Sequence, residues 1–235
     1  MAGVTEATEV KEETWETLCK IVPENPPRDN YPDYEVGYIY EHEEGNKMCE
    51  IGFRASSTFV HCTQYYKPTE RCRYLLVSAR NPVWDNNHTK CVTTALKVLE
   101  ELTYEEVKER EFHYVKDGHE YHTKGFDFHR EDKDAEGYTL PAVVDVDGTK
   151  KWYKNDELHR DDKDENGCTL PAVIHTNGLK YWYKNNKLHR DDKDENGLAL
   201  PVMIHPDGTR WWFKNGRFHR DDKDAEGRTL PALID

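Results

Sequence analysis

Short apolar segments alternate with charged, turn-forming segments throughout the second half of the chain, and this alternation repeats at a fixed period. The segment Leu-His-Arg-Asp-Asp-Lys-Asp at 158–164 recurs with small changes at 128–134, 188–194 and 218–224, so the four copies are equally spaced. A fixed period of this length is typical of arrays in which each repeat packs on its neighbours. The pattern therefore predicts an array of four repeats over residues 112–235.

Each repeat carries the pattern of a β-hairpin. An apolar segment such as 140–143 is followed by Asp147-Gly148 and then by the aromatic pair at 152–153. Type I′ turns need positive φ at both central residues, which Asp, Asn and Gly tolerate, so these pairs predict tight turns. A second turn, at 155–156 in this repeat, joins it to the next. The prediction is an all-β array, an antiparallel β-hairpin meander with a 30-residue period.

The aromatic residues of the array occupy equivalent positions in successive repeats. One hairpin cannot bury enough apolar surface to be stable alone, so equivalent positions are expected to stack. The first predicted ladder comprises Trp152, Trp182 and Trp212. The second, on the opposite face because strand side chains alternate, comprises Tyr153, Tyr183 and Phe213. Core packing is the favoured role of both ladders, and a ligand-binding aromatic face is the alternative.

The segment 1–111 lacks the repeat and predicts a small α+β head domain. A short helix is predicted from four apolar residues at helical spacing: Trp15, Leu18, Cys19 and Val22. Strands are predicted from β-branched and aromatic residues at 34–40, 49–53 and 73–78. Thr103 and Glu106 form a capping box that predicts a second helix ending near Arg110.

Composition limits the partners. The chain has 46 acidic and 33 basic residues and a net charge of −13. Nucleic acids and anionic membranes attract basic surfaces, so we expect no nucleic-acid partner, and the charge disfavours membrane association. The chain has neither an apolar run of about 18 residues nor a secretion signal. A protein partner is the expectation that remains, and the sequence identifies neither that partner nor the oligomeric state.

Candidate catalytic residues are few. The six cysteines contain no Cys-x-x-Cys pair and are expected to be free thiols in a reducing compartment. Ser56, Ser57, His61 and Cys62 lie close in sequence and offer a possible Ser-His or Cys-His couple. Packing and capping are the commoner roles of such residues, so the sequence predicts a protein that is not an enzyme.

Four acidic loops raise the question of calcium. They reproduce the first half of an EF-hand loop, Asp-x-Asp-x-Asn-Gly or a looser copy. The candidate ligands are Asp132, Asp134, Asp162, Asp164, Asn166, Asp192, Asp194, Asn196, Asp222 and Asp224. The bidentate Glu of the twelfth position is missing, so binding would be weak, about millimolar. A solvated acidic turn is the favoured interpretation, and Ca²⁺ is the one cofactor that the loops suggest.

A column of histidines, His129, His159, His189 and His219, follows the same period. Successive copies should lie about 10 Å apart, two strand spacings, which is too far for two rings to share one metal ion. These rings are expected to hydrogen-bond within the turn or to neighbouring aspartates.

The repeats resemble divergent MORN-like repeats encoded by large DNA viruses and bacteriophages, which also carry Leu-His-Arg-Asp and Leu-Pro-Ala segments. This chain differs by an insertion between those two segments, at 163–169 in the second copy. The head is similar to an uncharacterised domain that accompanies such repeats, through the segments 36–41, 49–53, 65–68 and 73–74. Arg54 stands where that domain has a histidine.

The resemblance implies a viral protein in the host cytoplasm or in the virion. Together with the residues it predicts a non-enzymatic structural or protein-interaction protein. Three alternatives stay open: a calcium-binding repeat module, a membrane-associating MORN-type protein, and an ADP-ribosyltransferase-like head. The last rests on the segment 53–57 and requires a nicotinamide-sized cleft lined by Tyr38, Ser56 and a carboxylate.

Overall fold

The structure is a computed structural model that describes residues 14–24, 32–41, 53–86, 89–214 and 216–234. The chain forms two compact units, Met1–Glu106 and Val107–Asp235; the sequence predicted a division between 111 and 112. Antiparallel strands are the main regular element of the described residues, which include two short helices, so the predicted β-rich character is confirmed. None of the described helices is long and apolar enough to cross a membrane.

The N-terminal unit is built on one antiparallel sheet with the strand order β2-β7-β4-β1-β3-β6-β5. Its elements are β1 Trp15–Val22, β2 Ile39–Glu41, β3 Phe53–Ser56, α1 Phe59–Thr63, β4 Arg73–Arg80, β5 Val83–Trp84, β6 Lys90–Thr93 and β7 Ala95–Leu102. The helix α2, Tyr104–Glu109, follows β7. The core of this unit includes Leu18, Leu75, Val77, Leu96 and Val98, each almost completely buried.

The helix predicted over Trp15 to Val22 is wrong, because this segment is the central strand β1. It pairs along its full length with β4, from Trp15 opposite Arg80 to Val22 opposite Arg73. A short apolar run that is buried on both sides looks the same in sequence as a buried helix. Long-range pairing with β4 decides between the two.

The other predictions for this unit have mixed outcomes. The strand predicted at 73–78 is confirmed as β4, whereas 34–40 is a strand only from Ile39. Of the strand predicted at 49–53, only Phe53 lies among the described residues. The capping box is confirmed, since the Thr103 amide donates to Glu106 Oε2 at 2.7 Å and the Glu106 amide donates to Thr103 Oγ1 at 3.2 Å.

The C-terminal unit contains a ten-stranded sheet and three separate two-stranded sheets. Its strands are β8 Glu111–Lys116, β9 His119–Lys124, β10 Asp127–Phe128, β11 Val143–Val144, β12 Lys150–Lys151, β13 Tyr153–Lys154, β14 Glu157–Leu158, β15 Val173–Ile174, β16 Lys180–Tyr181, β17 Tyr183–Lys184, β18 Lys187–Leu188, β19 Met203–Ile204, β20 Arg210–Trp211, β21 Phe213–Lys214, β22 Arg217–Phe218 and β23 Leu233–Ile234. The large sheet has the order β10-β9-β11-β12-β15-β16-β19-β20-β23, and β8 pairs with β9.

The second turn of each repeat does not lead into the large sheet as the sequence predicted. Instead β13 and β14 close a separate hairpin, as do β17 with β18 and β21 with β22. The chain changes sheets at Trp152, whose N–H donates to the Ala172 carbonyl while its own carbonyl accepts from the His159 amide. A tryptophan at the corner therefore links the large sheet to the small hairpin.

The two turns of a repeat have different geometry. Asn155 and Asp156 both have positive φ, 51° and 61°, as a type I′ turn requires. At Asp147-Gly148 only the glycine has positive φ, 84°, so the type I′ prediction is wrong there. The Asp147 carboxylate accepts from the Thr149 amide, and this local bond favours the alternative turn.

Candidate functional site

Each junction between repeats is closed by a clasp of charged and polar side chains. At the first junction the Asp162 carboxylate accepts from both the amide and the hydroxyl of Thr139, at 3.0 and 2.9 Å. Arg160 Nε donates to the same carboxylate at 2.8 Å, and its guanidinium lies 4.0 Å from the centre of the Trp152 ring. Trp152 Nε1 in turn donates to the Thr139 carbonyl at 2.7 Å. Thr139 is thus held through its amide, carbonyl and hydroxyl.

The same clasp recurs at the next two junctions. Its members there are Thr169, Trp182, Arg190 and Asp192, and then Ala199, Trp212, Arg220 and Asp222. Ala199 has no hydroxyl, so the third clasp lacks one hydrogen bond that the first two have. The repeated His-Arg-Asp-Asp segment therefore joins neighbouring repeats.

The clasps fix the ionisation of their aspartates. Burial alone would raise the pKa of Asp162 and of Asp192, but hydrogen bonds from the arginine and threonine partners outweigh it and lower both pKa values. The pKa of Asp222 is lowered in the same way, through Arg220 and the Ala199 amide. Charged carboxylates thus hold the junctions together at neutral pH.

The tryptophans of the predicted ladder are buried, at 5 to 6 % exposure. The ring contact that each of them makes is with an arginine guanidinium, at 4.0 to 4.2 Å. Tyr153, Tyr183 and Phe213 are half-buried and lie in the small hairpins. Each tryptophan ring therefore packs on an arginine guanidinium, between the large sheet and a small hairpin, whereas the second set lies within the small hairpins.

A cleft opens beside each of the first two clasps. The first encloses about 350 Å³, and its walls include His129, Lys133, Tyr153, Lys154 and Asp161. The second encloses about 220 Å³ and is lined by the equivalent residues of the next repeat, among them His159, Lys163, Tyr183, Lys184 and Asp191. The volume of the first lies within the usual range of ligand sites, about 300–1,000 Å³, and that of the second lies below it. The array therefore offers the same recess at successive positions.

A histidine, an aspartate and a lysine form the rim of each cleft. At the first, Asp161 accepts from Lys154 at 2.7 Å and lies 2.8 Å from His159 Nε2. The hydrogen bond from Lys154, followed by that from His159, lowers the pKa of Asp161. His189 and His219 contact Asp191 and Asp221 in the same way, which confirms the predicted histidine-to-aspartate bonds.

Basic side chains outnumber acidic ones in the lining of both clefts, although the protein as a whole is acidic. Four Lys and Arg side chains face two acidic side chains in the first cleft: Arg130, Lys133, Lys154 and Arg160 against Glu131 and Asp161. The second has four against three: Arg160, Lys163, Lys184 and Arg190 against Asp161, Asp191 and Asp192. Lys133 and Lys163 are exposed, and their ammonium groups make no ion pair among the described residues. These two lysines offer free positive charge to a ligand.

The acidic loops place their predicted calcium ligands in separate environments. Asp162, Asp192 and Asp222 point into the clasps, and Asp132 lies 3.1 Å from Arg130. Asp164 and Asp194 instead accept from amides of their own loops, including those of Asn166 and Asn196. Asp134 and Asp224 do the same with Tyr138 and Arg228. No such loop is among the groups of three or more metal-binding side chains within the described residues. This geometry favours the solvated-turn interpretation, and calcium binding stays a prediction.

The N-terminal unit brings two of its candidate nucleophilic residues together. Ser57 Oγ lies 2.6 Å from His61 Nδ1, and the Thr58 hydroxyl caps α1 by accepting from the His61 amide. Both members of the couple are almost fully buried, and burial lowers the pKa of His61 to about 4. A Ser-His couple with no access for a substrate fits a packing and capping role better than catalysis.

A small cavity of about 120 Å³ lies nearby and includes Lys20, Ser56 and Cys62 in its lining. Burial lowers the pKa of Lys20 to about 8 and raises that of Cys62 to about 11. The cavity is smaller than the usual ligand site of about 300 Å³ or more. Of the residues that the structure describes, neither Tyr38 nor any carboxylate lines this cavity, so these residues do not provide the cleft that the ADP-ribosyltransferase alternative requires.

The clasps and clefts were missed in the sequence, although a signal was present. Thr139 and Asp162 are 23 residues apart, and Thr169 and Asp192 repeat that spacing. In the sequence, a bond between neighbouring repeats is visible only as two sets of equivalent residues, here the threonines and the aspartates, that recur with the same period. In the sequence alone, these aspartates have the spacing of ligands within their own loops.

Residues 18–110 match a family model described as "Domain of unknown function (DUF7666)". No curated protein and no solved structure matches the chain. The family match carries no activity, and the resemblance of the repeats to MORN-like arrays stays a prediction.

Proposed function

We propose that this chain is a non-enzymatic protein-interaction protein, with an α+β head followed by an array of four repeats. Its clefts bind an extended acidic segment of a partner protein. The observation that carries this proposal is the recurrence of one cationic cleft, built from equivalent residues, beside two successive clasps. Repeat arrays commonly bind partners along such extended repetitive surfaces.

The spacing of the clefts defines the conformation of the partner. Equivalent strands such as β11 and β15 are separated by one intervening strand, β12. Two strand spacings of about 4.8 Å place equivalent points about 9.6 Å apart. A polyproline II helix has three residues per turn and rises about 3.1 Å per residue, so one face recurs about every 9.3 Å. A partner in this conformation can present one side chain in three to successive clefts.

The charge of the clefts defines the chemistry of that side chain. Lys133 and Lys163 are one repeat apart, and no described carboxylate neutralises either ammonium group. A Glu or Asp at every third position of the partner would face these lysines. The remaining acidic surface repels anionic partners elsewhere, which directs such a segment to the clefts.

The test measures binding of the full chain to labelled synthetic peptides by fluorescence anisotropy. The main probe is a Glu-Pro-Ser repeat of about 18 residues, which favours the polyproline II conformation. We expect saturable binding that weakens as salt is raised. A Lys-Pro-Ser repeat, and a peptide with the same number of Glu residues at every fourth position, should bind more weakly.

Matched variants locate the contact. Lys133→Glu combined with Lys163→Glu should weaken binding of the Glu-Pro-Ser peptide at least tenfold, whereas Lys187→Glu, an exposed lysine outside both cleft linings, should not. Equal affinity for all three peptides, or equal loss in both variants, would contradict the proposal.

A further inference from the structure

Three side chains of metal-binding type lie on one face of the hairpin formed by β8 and β9. His113 on β8 is directly opposite His122 on β9. Glu120 lies two residues before His122, and alternate residues of a strand share a face. Within the described residues, His113, Glu120 and His122 form the one group of at least three His, Cys, Asp or Glu side chains whose ligand atoms all lie within 4.8 Å of one another.

The distances among these atoms are close to those of a metal site. Glu120 Oε1 is 2.7 Å from His122 Nε2 and 3.4 Å from His113 Nε2. The two imidazole rings are stacked, with their centroids 4.3 Å apart. A tetrahedral Zn²⁺ with bonds of about 2.0–2.1 Å separates its ligand atoms by about 3.3 Å. Small side-chain rotations would bring the three atoms to that separation.

We propose that His113, Glu120 and His122 form a Zn²⁺ site with three protein ligands and a fourth position open to water. Two imidazoles and one carboxylate are a donor set that suits zinc, whereas Ca²⁺ and Mg²⁺ prefer oxygen ligands throughout. The backbone holds the set in place, since β8 and β9 pair over six residues each, from Glu111–Lys124 to Lys116–His119.

The accessibility of the group allows a metal ion to enter. The His113 and Glu120 side chains are 53 % and 37 % exposed, and His122 is 14 % exposed. Arg130 approaches Glu120 to 3.7 Å, but it also donates to Asp132 and to the Pro141 carbonyl. These two bonds hold Arg130 in place when Glu120 turns towards a metal ion.

A zinc ion at this position would cross-link β8 to β9. Among the described strands β8 pairs only with β9, so it is an edge of the large sheet. An unpaired edge strand is a site of fraying and of unwanted pairing with other chains. The ion would therefore order the start of the array.

The test is isothermal titration calorimetry, which measures the affinity of the full chain for Zn²⁺ added as ZnCl₂. The variants His113→Gln, Glu120→Gln and His122→Gln each remove one ligand. Loss of a second-shell partner alone costs about 10- to 100-fold in metal affinity, so each variant should lose at least tenfold. The matched control is His119→Gln, which changes a histidine of the same strand that faces the other way. The control should bind as the wild type does.

Two further readouts keep the result independent of folding defects and of other ligands. The chain contains 12 histidines and 6 cysteines, which are all potential zinc ligands. Co²⁺ is therefore substituted for Zn²⁺, and its absorption spectrum is recorded to identify the type of ligand. The proposed ligands predict weak d–d bands without a thiolate charge-transfer band. Zn²⁺ should also slow amide exchange in β8 of the wild type but not of the Glu120→Gln variant. Absence of zinc binding, unchanged affinity in the three variants, or a thiolate band would overturn the site.

Discussion

The clasp at the second junction provides the most direct perturbation of the array. Asp192→Asn removes the charge of the carboxylate that joins two repeats while it preserves the size of the side chain. The carboxylate accepts from the Thr169 amide and hydroxyl at 2.9 and 3.0 Å and from Arg190 Nε at 2.9 Å. An asparagine retains one acceptor oxygen and turns an NH₂ group towards one of these donors. At least one bond is therefore lost and the guanidinium loses its counter-ion.

The cost follows from the burial of the pair. The side chains of Arg190 and Asp192 are 7 % and 12 % exposed. A hydrogen bond to a charged group contributes about 1.5–3 kcal/mol, and removal of one partner from a buried pair costs about 3–5 kcal/mol. Arg190 keeps its contacts with the Trp182 ring and the Pro201 carbonyl, which reduces the cost. We expect a loss of about 2–3 kcal/mol in the free energy of unfolding.

The assay is urea denaturation of the full chain, and the control is the same substitution at the preceding residue. Asp191 also forms an ion pair, with Lys184, but these side chains are 68 % and 55 % exposed. Exposed pairs contribute about 0–1 kcal/mol, so Asp191→Asn should cost less than about 1 kcal/mol. If the two variants had the same unfolding midpoint, the clasp would not stabilise the junction.

Three other predictions follow from the same contacts. Ala199→Thr should supply the hydroxyl bond to Asp222 that the third clasp lacks, and should raise the free energy of unfolding by about 0.5–1.5 kcal/mol, measured by urea denaturation. An unchanged free energy of unfolding would contradict the clasp geometry. The clasp aspartates have lowered pKa values, so their contribution should be complete above the unfolded value of about 3.9 and disappear as the pH falls through the lower folded values. Asp192→Asn should therefore show a flatter acid-unfolding profile than the wild type. CaCl₂ and MgCl₂ at about 5 mM, chosen to exceed a millimolar affinity, should shift the melting temperature equally, and a shift specific to Ca²⁺ would restore the calcium alternative.

Local chemistry made part of this fold predictable. The strand β4 and the capping box at Thr103 follow from residue types that lie next to one another in sequence. The second turn is also local, because Asn155 and Asp156 tolerate the positive φ that it needs. Local chemistry was not always sufficient, because the type of the turn at Asp147-Gly148 was predicted wrongly.

Elsewhere, prediction from the sequence failed where the structure depends on pairing between segments that are far apart in the chain. Trp15 to Val22 has helical spacing, and only its position between β3 and β4 makes it a strand. The corner at Trp152 depends in the same way on bonds to Ala172 and His159. Spacing within a segment does not show which distant segment it will pair with.

The candidate site was only partly predictable for a related reason. The sequence identified the repeated histidines, aspartates and aromatic residues, and the structure places many of them around the clefts. It did not indicate that Asp162 would bind the preceding repeat at Thr139 rather than its own loop. Once that aspartate is assigned to the clasp, the free charge beside it is Lys163 rather than a calcium ligand.

Photo-cross-linking tests the proposed function most directly. A Glu-Pro-Ser peptide that carries a photoreactive group next to one Glu is irradiated with the full chain, and the attached residues are identified by mass spectrometry. The account predicts cross-links at equivalent positions of the two clefts, near Tyr153 and near Tyr183, which are one repeat apart. Cross-links confined to the N-terminal unit, or spread over the array without this period, would contradict it.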